Sequence, residues 1–255
     1  MVDLRLGDCA VVLGDLSGDS VDLTVTSPPY DNLREYNGYT FDFDTIAKEL
    51  FRVTKPGGVL VWVVSDAMID GSESGTSFKQ ALGFKEMGFS LHDTMIWKKQ
   101  TSTDTGSLRV RYGNIFEYMF VLSKGKPKTF NPIKDRVNKS FGRKKSGTIR
   151  QPNGTTSAIS SKGKPIAKMG QRHNIWEICT EVSNNKRVHP AQFPESLARD
   201  HIISWSNPGD VVLDPFLGSG TTGKVAVELN RQFIGIEISQ EYLNLATGRI
   251  NMKGV

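Results

Sequence analysis

Val211-Val212-Leu213-Asp214-Pro215-Phe216-Leu217-Gly218-Ser219-Gly220-Thr221-Thr222-Gly223 is an apolar, β-branched run that stops on an acid and opens into a glycine-rich turn. A helical stretch carrying Ala226, Val227 and Leu229 follows, then a second apolar run, Phe233-Ile234-Gly235-Ile236, ending at Glu237. Strand, glycine turn, helix, strand and acid is a nucleoside-binding unit. Its glycines let the backbone approach a ligand, and a carboxylate about twenty residues on accepts the ribose hydroxyls. Gly218, Gly220 and Gly223 also fit a nicotinamide-dinucleotide pattern, and a purely structural tight turn uses glycine too, so this unit alone leaves the ligand open.

Outward from this unit the chain keeps alternating. Strands are expected over 4–6, 21–25, 59–64, 90–97, 115–122, 211–213 and 233–236. Helices are expected over 9–16, 44–54, 76–87, 195–205 and 239–251. Asp44 can cap the second helix, and Lys55-Pro56-Gly57-Gly58 can end it. Val59-Leu60-Val61-Trp62-Val63-Val64 is a continuous apolar run, the mark of a central strand buried on both faces. The pattern predicts an α/β fold: a doubly wound, mostly parallel sheet with an antiparallel edge. No repeat spans these units.

The strand over 21–25 delivers Thr26-Ser27-Pro28-Pro29-Tyr30 to the carboxyl edge of that sheet, where ligands of open parallel sheets bind. Pro28 and Pro29 fix φ at successive positions and remove two N–H donors, leaving carbonyls to accept hydrogen bonds from an amino group. Tyr30 offers a flat face on which a planar ring can stack. A strand-ending Pro-Pro turn with a core tyrosine is the plainer reading of the same residues. Asp66, after the strand over 59–64, is explained by a turn cap.

Charge is unevenly spread. The chain carries +5 in total, yet between residues 123 and 186 fifteen Lys and Arg face three acids, Asp135, Glu177 and Glu181, so this segment is +12 and the remainder −7. It is rich in Gly, Ser, Asn and Thr, poor in periodic apolar residues, and interrupted by Phe130, Phe141 and Trp176. That is a phosphate-tracking composition, with Lys124, Lys126, Arg143, Lys144, Lys145 and Arg150 as candidate contacts. The expected organisation is 1–122 and 187–255 as two parts of one domain, with 123–186 inserted. Two cysteines, Cys9 and Cys179, suggest packing rather than a disulfide framework or a metal site. No apolar run approaches membrane-spanning length, and the amino terminus does not read as a signal peptide, so a cytoplasmic, nucleoid-associated protein is expected.

Thr26-Ser27-Pro28-Pro29-Tyr30 and Asp214-Pro215-Phe216-Leu217-Gly218-Ser219-Gly220-Thr221-Thr222, taken together, resemble the catalytic and S-adenosylmethionine motifs of amino-group DNA methyltransferases. Catalytic motif first, basic segment next and cofactor motif last is similar to the permuted beta group of that family. The resemblance covers roughly 4–250 and implies a permuted, Rossmann-like methyltransferase fold with S-adenosylmethionine as cofactor. Carried over by position, Asp214, Phe216 and the loop of Gly218, Gly220 and Thr221 would hold the methionine part, and Glu237 the ribose. Asp8 would meet the adenine amino group, with His189 and Phe193 flanking the methionine end. Ser27, Pro28, Pro29 and Tyr30 would be catalytic, acting on a flipped base in double-stranded DNA without a metal. A carbon-5 cytosine mechanism needs a nucleophilic cysteine, usually after proline, and neither Cys9 nor Cys179 follows one. Ser27 favours cytosine N4 over adenine N6. A homodimer and a cognate restriction endonuclease are partners the resemblance leaves open. The alternatives are a methyltransferase for RNA or protein glutamine and a DNA-binding protein with a vestigial pocket.

Overall fold

Along β3 (Thr54–Val64), Val59, Val61 and Val63 point into one hydrophobic layer while Leu60, Trp62 and Val64 point into the other, and each of the six is at most 1% exposed. A strand with no polar face needs cover on both sides. The cover comes from two sets of helices: α1 (Cys9–Val12), α2 (Phe43–Val53) and α3 (Thr76–Glu86) on the Trp62 side, and α4 (Glu195–Trp205), α5 (Thr221–Glu228) and α6 (Gln240–Asn251) on the Val61 side.

The computed structural model describes residues 1–29, 41–101, 110–179 and 193–251. They form two units, Met1–Asn131 with Asn174–Val255, and Pro132–His173. In the first, β3 joins β1 (Val2–Leu6), β2 (Val21–Thr26), β4 (Ser90–Lys98), β5 (Phe116–Ser123), β6 (Ile175–Glu177), β7 (Val211–Asp214) and β8 (Gln232–Glu237) in one eight-stranded sheet, ordered β1-β8-β7-β2-β3-β5-β4-β6. All neighbours pair in parallel except β5, which runs antiparallel to both β3 and β4. The fold is thus a doubly wound, mostly parallel α/β sheet.

Three local differences from the sequence reading have physical causes. The antiparallel strand stands sixth of eight rather than at the edge, because β4 and the three-residue β6 add outside it. Lys55-Pro56-Gly57-Gly58 opens β3 rather than ending α2. Gly57, at φ 83°, bends the strand there, and its amide bonds Lys124 O at 2.6 Å. Asp42, not Asp44, caps α2, its Oδ1 accepting from Thr45 N at 3.2 Å.

The unit Pro132–His173 is an irregular β-ribbon. Arg136–Val137 pairs antiparallel with Met169–Gly170, Lys145 N donates to Lys164 O at 3.0 Å, and a second hairpin pairs Thr148–Arg150 with Thr156–Ala158. Eleven Lys and Arg face one acid, Asp135, and that acid is ion-paired to Arg172. Among the described residues no helix is long and apolar enough to cross a membrane, and no group of three His, Cys, Asp or Glu could hold a metal ion.

Candidate active site

The sheet order sets the ends of β1, β8, β7 and β2 side by side, and all four strands run the same way. Gly7 and Asp8, Glu237, the loop after Asp214, and Ser27 with its two prolines therefore leave one edge as neighbours. This is the carboxyl edge, where crossovers diverge and a ligand fits.

Glu237 gathers three of these segments. Its backbone oxygen accepts from Gly7 N at 2.9 Å, its Oε2 from Gly218 N at 2.7 Å and its Oε1 from Ser239 N at 3.0 Å. Only 8% exposed, the carboxylate is held by fixed amides rather than by water. The glycine loop is packed from beneath. A Cβ on Gly220, at φ 79°, would lie 2.9 Å from the Ala246 Cβ, and one on Gly223 would lie 2.5 Å from the Phe233 ring. Leu217 N bonds Ile236 O at 2.9 Å, so the loop continues alongside β8 after β7 ends.

Asp214 closes β7 and is 2% exposed. Its Oδ1 accepts from Thr26 Oγ1 at 2.6 Å and from Phe216 N at 3.1 Å. Burial pushes its carboxyl up to about 6 and the Glu237 charge adds to the rise, while hydrogen bonds from Thr26, Thr222 and the Phe216 amide oppose it. Phe216 turns its ring edge-on to Trp62, centroids 6.0 Å apart, and Phe193 is buried in the core ahead of α4. Asp8 caps α1, its Oδ1 accepting from Ala10 N at 2.9 Å.

Ser27 and Pro29 are partly exposed and Pro28 is buried, directly after the last residue of β2. Tyr30 and His189 lie outside the described residues. Asp66 is a cap, its carboxylate accepting from Ser77 N at 2.8 Å and Ser77 Oγ at 2.6 Å at the start of α3. Burial, with Asp8 adding to it, pushes the Cys9 thiol up to about 12, which suits a packing residue and not a nucleophile. Lys124 is engaged within its own unit: its Nζ donates to Asp19 Oδ1 at 2.8 Å and Phe51 O at 2.9 Å. Lys126 also belongs to the first unit, whereas Arg143, Lys144, Lys145 and Arg150 belong to the ribbon.

Two groups escaped the sequence reading. Thr222 Oγ1 donates to Val25 O at 3.2 Å, from the first turn of α5 to β2. Arg249, on α6, donates through Nη1 to Ser219 O at 2.8 Å and Ser219 Oγ at 2.7 Å, and through Nη2 to Glu195 Oε1 at 2.9 Å. Thr222 lay inside a quoted motif but was given no role of its own. Arg249 sits thirty residues from Ser219, with no local signal.

The donor set discriminates between nucleoside ligands. The loop over 214–221 carries no Lys or Arg, and two buried carboxylates, Asp214 and Glu237, lie within electrostatic reach of each other. Such a site suits a cationic sulfonium better than a pyrophosphate, since opposite charge favours both partners. S-adenosylmethionine fits these residues.

Comparison with known proteins agrees with this geometry. The family model for DNA methylases of the N6/N4 class matches residues 21–248. The chain belongs to that family. It is 51% identical over 253 residues to the orphan methyltransferase M.BamHII of Bacillus amyloliquefaciens, covering 96% of this chain and 91% of that one. Among solved structures, the M1.HpyAVI–SAM complex superposes with a TM-score of 0.69 at 25% identity, covering 99% of this chain and 100% of the other. The cytosine-N4-specific PvuII DNA methyltransferase, 21% identical, shares the fold with a TM-score of 0.72 over 100% of this chain and 88% of its own.

Proposed function

We propose that this DNA methylase transfers the methyl group of S-adenosylmethionine to the exocyclic amino group of a flipped base in double-stranded DNA, with cytosine N4 as the acceptor. The observation that carries the reading is the joining of Ser27-Pro28-Pro29 to the glycine loop through the 2.6 Å hydrogen bond between Thr26 and Asp214.

Bound at this edge, the cofactor supplies an electrophilic methyl group and a neutral thioether leaving group. The protein's own part is to bind, orient and accept. Glu237 would hold the ribose hydroxyls with the lone pairs its two amide donors leave over, and Asp8 would hold the adenine amino group. Phe193, Phe216 and the loop of Gly218, Gly220 and Thr221 would hold the methionine end, a role the family motif also gives to His189. The amino nitrogen of a base is a poor nucleophile because its lone pair is delocalised into the ring. Accepting its two N–H groups at Ser27 Oγ and the Pro28 carbonyl favours tetrahedral nitrogen and aims the lone pair at the methyl, so orientation supplies much of the rate. Tyr30 stacks on the extruded base, which chemistry on a paired base requires.

DNA is held by the ribbon. A two-stranded β-ribbon is a shape the major groove admits, and Arg143, Lys144, Lys145 and Arg150 give it phosphate contacts. Ser27 underlies the preference for cytosine. A hydroxyl both donates and accepts, so it can reach the ring N3 beside the cytosine amino group, whereas a carboxylate only accepts. Nucleoside mass spectrometry of duplex DNA incubated with the protein and S-adenosylmethionine tests this. N4-methylcytosine is the expected product; N6-methyladenine alone would show that Ser27 does not select the base, and no methylated base would refute the activity.

A further inference from the structure

We propose that Thr26 and Thr222 are positioning residues that lace the catalytic strand to both ends of the cofactor loop and so set the distance between Ser27 and the methyl donor. This rests on the methyl-transfer reading above.

Backbone pairing between β2 and β7 is short: Val212 pairs with Leu23 and Leu213 with Thr24, and the ladder goes no further. Two strands released at that point would be free to splay just where the chemistry needs them fixed. Side chains take over from the backbone there. Thr26 Oγ1 donates to Asp214 Oδ1 at 2.6 Å, gripping the residue at which the loop starts. Thr222 Oγ1, whose single proton is shared between Val25 O at 3.2 Å and the Asp214 carboxylate, grips the residue on which α5 is launched. Both ends of the glycine loop are thereby tied to two consecutive residues, Val25 and Thr26, and the next residue is Ser27.

Chemistry and burial favour this use of threonine. Both side chains are 0% exposed, so each hydroxyl must find its partner inside the protein. A β-branched side chain holds few rotamers, which makes such a bond a stiff strut. The Thr26 bond is also short and ends on a buried carboxyl group, the stronger class of hydrogen bond when that group is ionised. Because displacements of about 1 Å at a reacting centre cost up to about a hundredfold in rate, a strut one residue from the acceptor serine acts on catalysis without touching substrate.

The test compares Thr26→Val, which keeps the shape and removes the hydroxyl, with Thr26→Ser, which keeps the hydroxyl. Hydrogen exchange of the full-length, cofactor-free protein is read by mass spectrometry. Thr26→Val is expected to speed exchange about tenfold in peptides covering both 24–29 and 213–222, with 59–64 unchanged and Thr26→Ser close to wild type. In methyl transfer, Thr26→Val lowers kcat about tenfold while KM for S-adenosylmethionine stays within about threefold. The acid limb of its kcat profile moves to higher pH, because Asp214 has lost a hydrogen bond to its ionised form. Unchanged exchange at 213–222, a general rise that reaches 59–64, or an equal loss in Thr26→Ser would each overturn the proposal. A wild-type protein that methylates no base would refute the functional reading alone, since the exchange experiment decides the lacing without turnover.

Discussion

Two carboxylates a strand apart are held in opposite ways. Glu237 accepts backbone amides on both oxygens, an arrangement that satisfies the charged form. Glu237→Gln turns one acceptor into a donor facing an N–H group, so it is expected to weaken S-adenosylmethionine binding by about 1–3 kcal/mol, as isothermal calorimetry would read. Asp214 is a weaker acid folded than unfolded, with its carboxyl raised from 3.8 to about 6. A group of that sign adds stability in full below pH 3.8 and has lost that contribution once pH passes about 6. Between pH 5 and pH 8 the cofactor-free wild type is therefore expected to lose about 1 kcal/mol relative to Asp214→Asn, measured by urea unfolding at both values. A constant difference would mean that Asp214 does not titrate in this range. The sequence named both acids from motif spacing. It was silent on their partners, because Thr26 lies 188 residues from Asp214 and only the sheet order brings them together.

Elements rather than single contacts hold the glycine loop from below. Arg249 of α6 reaches Ser219, and Glu195 at the head of α4 takes both Arg249 and Lys224 of α5. Burial works against the Glu195 charge, yet Lys224 and Arg249 hold its carboxyl below the usual range. Three helices on one face thus share one ion cluster directly under the glycine loop. Arg249→Met keeps the apolar stem and removes the donors. It is expected to cost about 1–2 kcal/mol in unfolding experiments, discounted for partial exposure, and to weaken S-adenosylmethionine binding at least as much as stability. Loss of stability with unaltered binding would make the cluster a helix tie only. At this scale most of the fold was legible, since hydrophobic runs and glycine turns carry periodicity within ten residues. The exceptions are informative. β6 is three residues long and lay hidden in a basic, aperiodic stretch, and the order in which the strands at 90–97 and 115–122 join the sheet carries no local signal, so the interior place of the antiparallel strand was not legible. The Lys55-Pro56-Gly57-Gly58 run reads as a helix stop from local preferences alone. Only its pairing with the distant segment at Lys124 and Lys128 makes it a strand.

At the scale of the whole molecule, charge and fold divide along the same line. Residues 132–173 hold eleven cations and one acid, so with +5 overall the rest of the chain is net −5. An acidic frame by itself repels DNA, which is why the proposed association runs through the ribbon. The sequence reading placed this basic region but took it to start at residue 123. Lys124 is instead committed to Asp19 and Phe51, with its ammonium 4.7 Å from the Phe51 ring centroid. The proposed phosphate contacts are therefore Arg143, Lys144, Lys145 and Arg150, and the two groups of cations are expected to respond differently to substitution. Each phosphate neutralised contributes about −0.9 to the slope of log affinity against log salt. Replacing Arg143, Lys144 and Lys145 together by Gln is expected to flatten that slope by up to about 3, with S-adenosylmethionine affinity unchanged. Lys124→Gln, by contrast, is expected to lower stability and leave the slope as it was. Fluorescence anisotropy on a labelled duplex across a salt series measures both. An unchanged slope in the triple variant would reduce those cations to solvation of the ribbon and move DNA binding elsewhere on the protein.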